Sequence, residues 1–247
     1  MISKSQISFI KSLHQKKIRK EHNLFIVEGL KSLSEFIHSD YVVETIFHTE
    51  NVMPKLGKLS QNIKTHQIST TELSKISSLT SAQQVLALVK IPQFTALTTN
   101  LLKGSFTLAL DGIQDPGNLG TIIRTADWFG MKQIICSADT ADVYNSKVVQ
   151  ASMGSLARVQ VNYLDLQDFI KNADIPVYGA VLNGKPLYNT NFGSEGIILM
   201  GNEGQGIRPE LLKHISYPIT IPAFGKAESL NVAISAAIIC SEIRRNS

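Results

Sequence analysis

The chain has 247 residues, of which 43% are hydrophobic and 18% charged, the proportions of a globular protein able to bury a sizeable core. No apolar run approaches the roughly 18–20 residues of a membrane span, and the N-terminal stretch lacks the apolar core and small residues of a secretory signal, so a cytoplasmic protein is expected. Cys136 and Cys240 lie in apolar runs without CxxC or Cys/His spacing, which predicts neither a disulfide nor a metal site.

The net charge of +4 is unevenly spread: residues 1–103 carry 13 Lys/Arg against 7 Asp/Glu, and the remainder 11 against 13. Much of the excess falls in KSLHQKKIRK. There Lys16, Lys17, Arg19 and Lys20 form a candidate RNA-binding patch, because cations on a phosphate backbone release condensed counterions. A solvated helix face accounts for the same run equally well.

In chain order, QISFIKSLHQKKIRK has helical spacing, NLFIVEG is a short apolar strand closed by glycine, and LKSLSEFIHS is helical. VVETIFHT reads as a strand, TTELSKISSL as a helix capped by Thr70 or Thr71, and QVLALVKI as a closing strand. Residues 1–91 therefore form a small α/β module, followed by an aperiodic, Thr-rich linker over 92–104. From 105 to 247 the pattern is more regular. SFTLALD, KQIIC, VQVNY, PVYGAV, GIILMG and YPITIP are strands, with helices at TIIRTADWFG, NSKVVQASMGSLA, DLQDFIKNA and PELLKHI. Strand, helix and strand within about 35 residues imply a parallel sheet covered on both faces. Ligands of such sheets lie beyond the carboxyl ends of the strands, which points to the loops after Asp111, Met200 and Ile221.

Those loops, DGIQDPGNLGTIIRTADWFG, LMGNEGQGI and IPAFGKAESLN, each combine glycine with amide, carboxylate or hydroxyl side chains. None carries GxGxxG or a P-loop, which disfavours a nucleotide-dependent metabolic enzyme. Asn118 suits a helix N-cap or a ligand contact. Arg124, at the edge of an apolar stripe, requires an anionic partner, either Asp127 or Glu203 or a substrate. Glu203 could cap the helix marked by Pro209, Gly201 would let backbone approach a ligand, and Ser229 would cap the last helix with Asn231 on its first turn.

Together PGNLGTIIRTADWFG, LMGNEGQGI and IPAFGKAESLNVAISAA resemble the three motifs of the SpoU (TrmH) family of RNA ribose 2′-O-methyltransferases, in the SPOUT superfamily. The resemblance covers residues 105–245, and FIVEG with the basic α/β module resembles the ribosomal-protein-like RNA-binding domain often attached to these enzymes. It implies a C-terminal parallel-sheet domain tied in a deep trefoil knot, S-adenosylmethionine bound in a bent form, and a homodimer. It further implies a cofactor cradle around Leu199, Met200, Gly201, Asn202, Ile221, Leu230 and Ala233, and a catalytic set of Arg124, Asn118, Glu203, Ser229 and Asn231. A guanidinium loses its proton only above about pH 12, so Arg124 is expected to position the ribose and stabilise an oxyanion, not to act as a base. Ribosomal RNA is the favoured substrate; transfer RNA, or a non-catalytic role in ribosome assembly, is the alternative.

Overall fold

The computed structural model describes residues 2–94 and 97–245. Two compact units arise, Met1–Phe94 with Asp142–Arg158, and Thr95–Ala141 with Val159–Ser247. The first begins with α1 (Lys4–Ser12) and α2 (Lys16–His22), one helical run in sequence that breaks where Leu13, His14 and Gln15 close turns onto the preceding carbonyls. Next come β1 (Leu24–Glu28), α3 (Leu30–Ile37), β2 (Val43–His48), β3 (Lys64–Gln67), α4 (Thr70–Ile76) and β4 (Val85–Lys90). The sheet order is β1-β4-β2-β3, with only the β2/β3 pair parallel. All four residues of β3 are exposed; an edge strand with no buried face has no hydrophobic period, and none is legible in the sequence. The cap of α4 is Ser69, not Thr70 or Thr71: Ser69 Oγ accepts the Glu72 amide and Glu72 reaches back to the Ser69 amide, a reciprocal pair neither threonine can make.

The second unit follows with β5 (Phe106–Leu110), α5 (Pro116–Trp128) and β6 (Gln133–Cys136). The chain then makes an excursion, α6 (Ser146–Ser152), that packs with the first unit although chain order places it inside the second. It returns as β7 (Gln160–Tyr163), α7 (Leu166–Lys171), β8 (Val177–Pro186), β9 (Gly196–Met200), α8 (Pro209–Leu212), β10 (Tyr217–Thr220) and α9 (Val232–Arg245). The six strands lie in the order β10-β8-β9-β5-β6-β7, and every pair is parallel. β5 and β9 are buried along their whole length, as strands covered on both faces must be. Cys136 and Cys240 are free and buried, and burial pushes both thiols up, Cys240 to about 12. Among the described residues no helix is long and apolar enough to cross a membrane.

Candidate cofactor and catalytic site

Parallel strands deliver the loops after β5, β9 and β10 to one end of the sheet. α5 starts five residues earlier than TIIRTADWFG implies, because Pro116 occupies its first turn and Asp115 accepts the Asn118 amide at 2.7 Å. Asp115 is thus the cap, which frees the Asn118 side chain. Its Nδ2 donates to Glu203 Oε1 at 2.5 Å, and its Oδ1 accepts Asn231 Nδ2 at 2.9 Å. One hydrogen-bonded chain therefore joins a residue from each of the three loops, which lie 85 and 113 positions apart from Asn118 in sequence.

Asn231 also caps α9. Its Oδ1 accepts the Ala233 amide at 2.9 Å and the Ile234 amide at 3.3 Å, a role the sequence reading gave to Ser229. Ser229 is two residues too early for the first turn that begins at Val232; it lies exposed on the loop and lines the adjoining cavity. Glu203 caps nothing either, since α8 begins at Pro209 behind Arg208. Arg124 is exposed on α5 and makes no hydrogen bond or ion pair among the described residues, so its guanidinium donors are available to a ligand.

Glu203 stands on the rim of a cavity of about 740 Å³ built from the loops after β9 and β10, the end of β8 and the start of α9. Met200, Gly201, Asn202, Ile221 and Leu230 line it. Leu199 and Ala233 do not: Leu199 is wholly buried in the core with Ala109 and Ile197, and Ala233 is buried on α9. A wall the sequence did not disclose comes from Val181 and Leu182 on β8 and from Leu187 just beyond it. Those residues read as an ordinary apolar strand, and only the packing of β8 against β10 turns them toward the cavity. Gly201 is required for a reason other than ligand approach. A Cβ there would overlap Gly206 and the Ile207 amide, because the loop doubles back on itself through Asn202 N to Gly206 O (3.0 Å) and Gly206 N to Asn202 O (2.8 Å).

The lining is mostly apolar side chain and glycine-rich backbone, and among the described residues its titratable groups are Glu203 and Glu228, with no Lys, Arg or His. Such a donor set fits an amphipathic ligand carrying positive charge and repels a phosphate. A volume near 740 Å³ falls in the range of about 300–1,000 Å³ usual for cofactor sites. The groups of S-adenosylmethionine match it: a flat adenosine for the apolar walls and a sulfonium and an ammonium for the carboxylates.

The basic run divides. Lys16, Lys17 and Lys20 are exposed on α2, whereas Arg19, expected beside them as an RNA contact, is 3% exposed and turned inward. Its Nη1 donates to the carbonyls of Leu13 (2.9 Å) and His14 (2.8 Å), and its Nη2 pairs with Asp142 at 2.5 Å. Arg19 is a structural residue: its guanidinium is turned inward onto three acceptors, and its remaining Nε donor is buried as well, out of reach of a phosphate outside.

Comparison with known proteins matches residues 105–241 to the SpoU rRNA Methylase family and residues 4–87 to an MRM3-like substrate binding domain. The chain is 33% identical over 239 residues to the 23S rRNA (guanosine(2553)-2′-O)-methyltransferase RlmP of Bacillus subtilis, covering 95% of this chain and 94% of that one. It is 31% identical over 208 residues to the 23S rRNA (guanosine-2′-O-)-methyltransferase RlmB of Neisseria meningitidis, covering 80% and 82%. Among solved structures, a TrmH-family protein of Porphyromonas gingivalis superposes with a TM-score of 0.90 at 40% identity over 100% of both chains. An AdoMet-bound rRNA methyltransferase of Sinorhizobium meliloti superposes at 0.85 with 30% identity, over 99% of this chain and 97% of the other. With the three motifs joined at one cavity and both units matched, the chain belongs to the SpoU rRNA methylase family.

Proposed function

We propose that this protein transfers a methyl group from S-adenosylmethionine to a ribose 2′-hydroxyl of ribosomal RNA. The observation that carries this reading is the chain Asn231–Asn118–Glu203 on the rim of a cavity that holds two carboxylates and no cation. When bound, S-adenosylmethionine supplies an electrophilic methyl on its sulfonium. The residues of this chain do the rest. Gly201–Ile207 and Ile219–Pro222 offer backbone to the cofactor, and Leu230 covers its apolar part. Glu203, held by Asn118, keeps a carboxylate at the cavity mouth. Arg124, with its donors uncommitted, holds the target ribose and stabilises the 2′-oxygen as its proton passes to water or a neighbouring RNA phosphate.

Ribosomal RNA is favoured because the two named relatives, aligned across most of this chain, act on 23S rRNA. Lys16, Lys17 and Lys20 supply part of the RNA affinity from the first unit. The working form is a homodimer joined through α5 and α9, where Trp128 is 84% and Ile234 51% exposed. The C-terminal loops carry the trefoil knot of the family; β10 lying beside β8, outside β9, is the strand order that supports it.

The test is S-adenosylmethionine titration, with transfer of labelled methyl groups to ribosomal and transfer RNA, on the parental protein and on Arg124→Ala. Arg124→Ala should lower single-turnover methylation by about 100-fold or more and leave cofactor affinity nearly unchanged, as for a group that acts on the transition state. Near-parental turnover in the variant removes Arg124 from the catalytic centre. A folded parental protein that binds no cofactor at millimolar concentration overturns the whole reading, and methylation of transfer RNA alone moves the substrate.

A further inference from the structure

Asp111, immediately after β5, is 1% exposed, and a lone carboxylate at that depth is costly unless it is paired and hydrogen-bonded. Its partner is Arg208, at the far end of the loop that lines the cofactor cavity. Oδ2 accepts the Arg208 backbone amide at 2.9 Å, while Oδ1 accepts Nε at 2.6 Å and also Nη2. The near end of the same loop is tied to the next residue of the β5 turn, where Asn202 Nδ2 donates to the Gly112 carbonyl at 2.8 Å. Between the ties, Asn202 Oδ1 accepts the amides of Gly204 (2.9 Å) and Gln205 (3.1 Å), and the Asn202 and Gly206 backbones bond reciprocally. The Gly112 amide is itself held by Ser137 Oγ at 2.8 Å. Neither Asp111 nor Arg208 lines the cavity, yet the cavity-lining residues from Asn202 to Ile207 run from one of these ties to the other.

We propose that Asp111 and Arg208 are positioning residues: a buried carboxylate grips the guanidinium and backbone of Arg208, setting the loop that presents its backbone to the cofactor and Glu203 to Asn118. The inference rests on the methyl-transfer reading for the identity of the ligand, not for the order of the loop. A guanidinium suits the task because two of its N–H groups meet one carboxylate from a rigid plane and so fix direction as well as distance. Asp139 at 3.6 Å and Glu210 at 3.8 Å flank Arg208, so its charge remains matched on the half-exposed side. The Arg208 guanidinium is raised above its ordinary range, first by the hydrogen bond to Asp111, in keeping with a pair held tightly in the charged form.

The experiment compares the parental protein with Arg208→Lys and Asp111→Asn by amide hydrogen exchange, S-adenosylmethionine titration and steady-state methylation. Arg208→Lys keeps the charge and loses the fork; Asp111→Asn keeps the shape and loses the charge. Both should exchange faster over residues 201–208 while α9 stays protected. The KM for S-adenosylmethionine should rise about tenfold or more while kcat changes less, since a displaced cradle weakens ground-state binding of the cofactor. Variants that lose thermal stability but keep parental exchange in the loop and parental cofactor affinity show an ordinary structural pair, and the proposal falls. If Asp111→Asn does not fold, Arg208→Lys alone decides by the same readouts. A parental protein that binds no S-adenosylmethionine sinks the methyl-transfer reading, whereas the exchange result still decides the clamp.

Discussion

Asn231 performs two tasks with two atoms of one amide. Its Oδ1 accepts the first amides of α9, and its Nδ2 donates to Asn118. Substitutions can separate them. Asn231→Asp retains the accepting oxygen and loses the donor, so thermal stability should stay within about 0.5 kcal/mol of parental while methylation falls steeply. Asn231→Ala loses both and should cost about 1 kcal/mol as well. The paired measurement is thermal unfolding and single-turnover methylation; an active Asn231→Asp enzyme would mean that the Asn118 link has no role in catalysis. Ser, Thr, Asp and Asn all serve as caps, so residue type did not choose between Ser229 and Asn231. The helix begins at Val232, and that register chose Asn231.

The same ambiguity holds one scale up, at α2 and the excursion around α6. Lys16, Lys17, Arg19 and Lys20 look alike in a row, but the turn of the helix sends Arg19 inward to Asp142, more than a hundred residues away in sequence. The excursion is held again at its other end, where Arg158 pairs with Glu35, and Tyr144 lies 4.7 Å from Phe25 between ring centroids. Breaking the buried pair with Asp142→Asn leaves a guanidinium without its counter-charge and should destabilise the protein by about 3 kcal/mol. Urea unfolding measures it. The same variant should leave the slope of log RNA affinity against log salt unchanged, whereas Lys16, Lys17 and Lys20 changed together to Ala should flatten it. A flatter slope in Asp142→Asn with unchanged stability would return Arg19 to the RNA-binding surface.

For the whole molecule, the decisive surface is the pair α5 and α9. Buried Ile122, Ile123 and Ala126 on the first and Ala236, Ile239 and Cys240 on the second fill the core, while Trp128 and Ile234 are left in solvent. An indole exposed at 84% is the observation behind the proposed dimer surface, because burying an aromatic ring of that size is worth roughly 2 kcal/mol or more. If the proposed homodimer forms through this surface, Trp128→Glu with Ile234→Glu should give a monomer by light scattering and lower methylation with it. A parental protein that is monomeric at micromolar concentration, or a charged double variant that remains dimeric, would overturn the proposed dimer.

What the sequence determined by itself were the things that local period and local composition encode: the strands β5, β6 and β9, the helix α6 though not its place with the first unit, the parallel character of the second sheet, and three loops rich in glycine and amides. Those loops could be recognised because strand ends and motif spacing are one-dimensional properties. The tertiary structure decided what depends on pairs distant in the chain. It assigned Asn231 and not Ser229 to the cap, buried Arg19, turned Val181 and Leu182 into a cavity wall, and bound Asp111 to Arg208 across 97 positions. A side chain's partner is set by which strands lie side by side and by the turn of each helix. Neither quantity has a period that a single segment of sequence can carry.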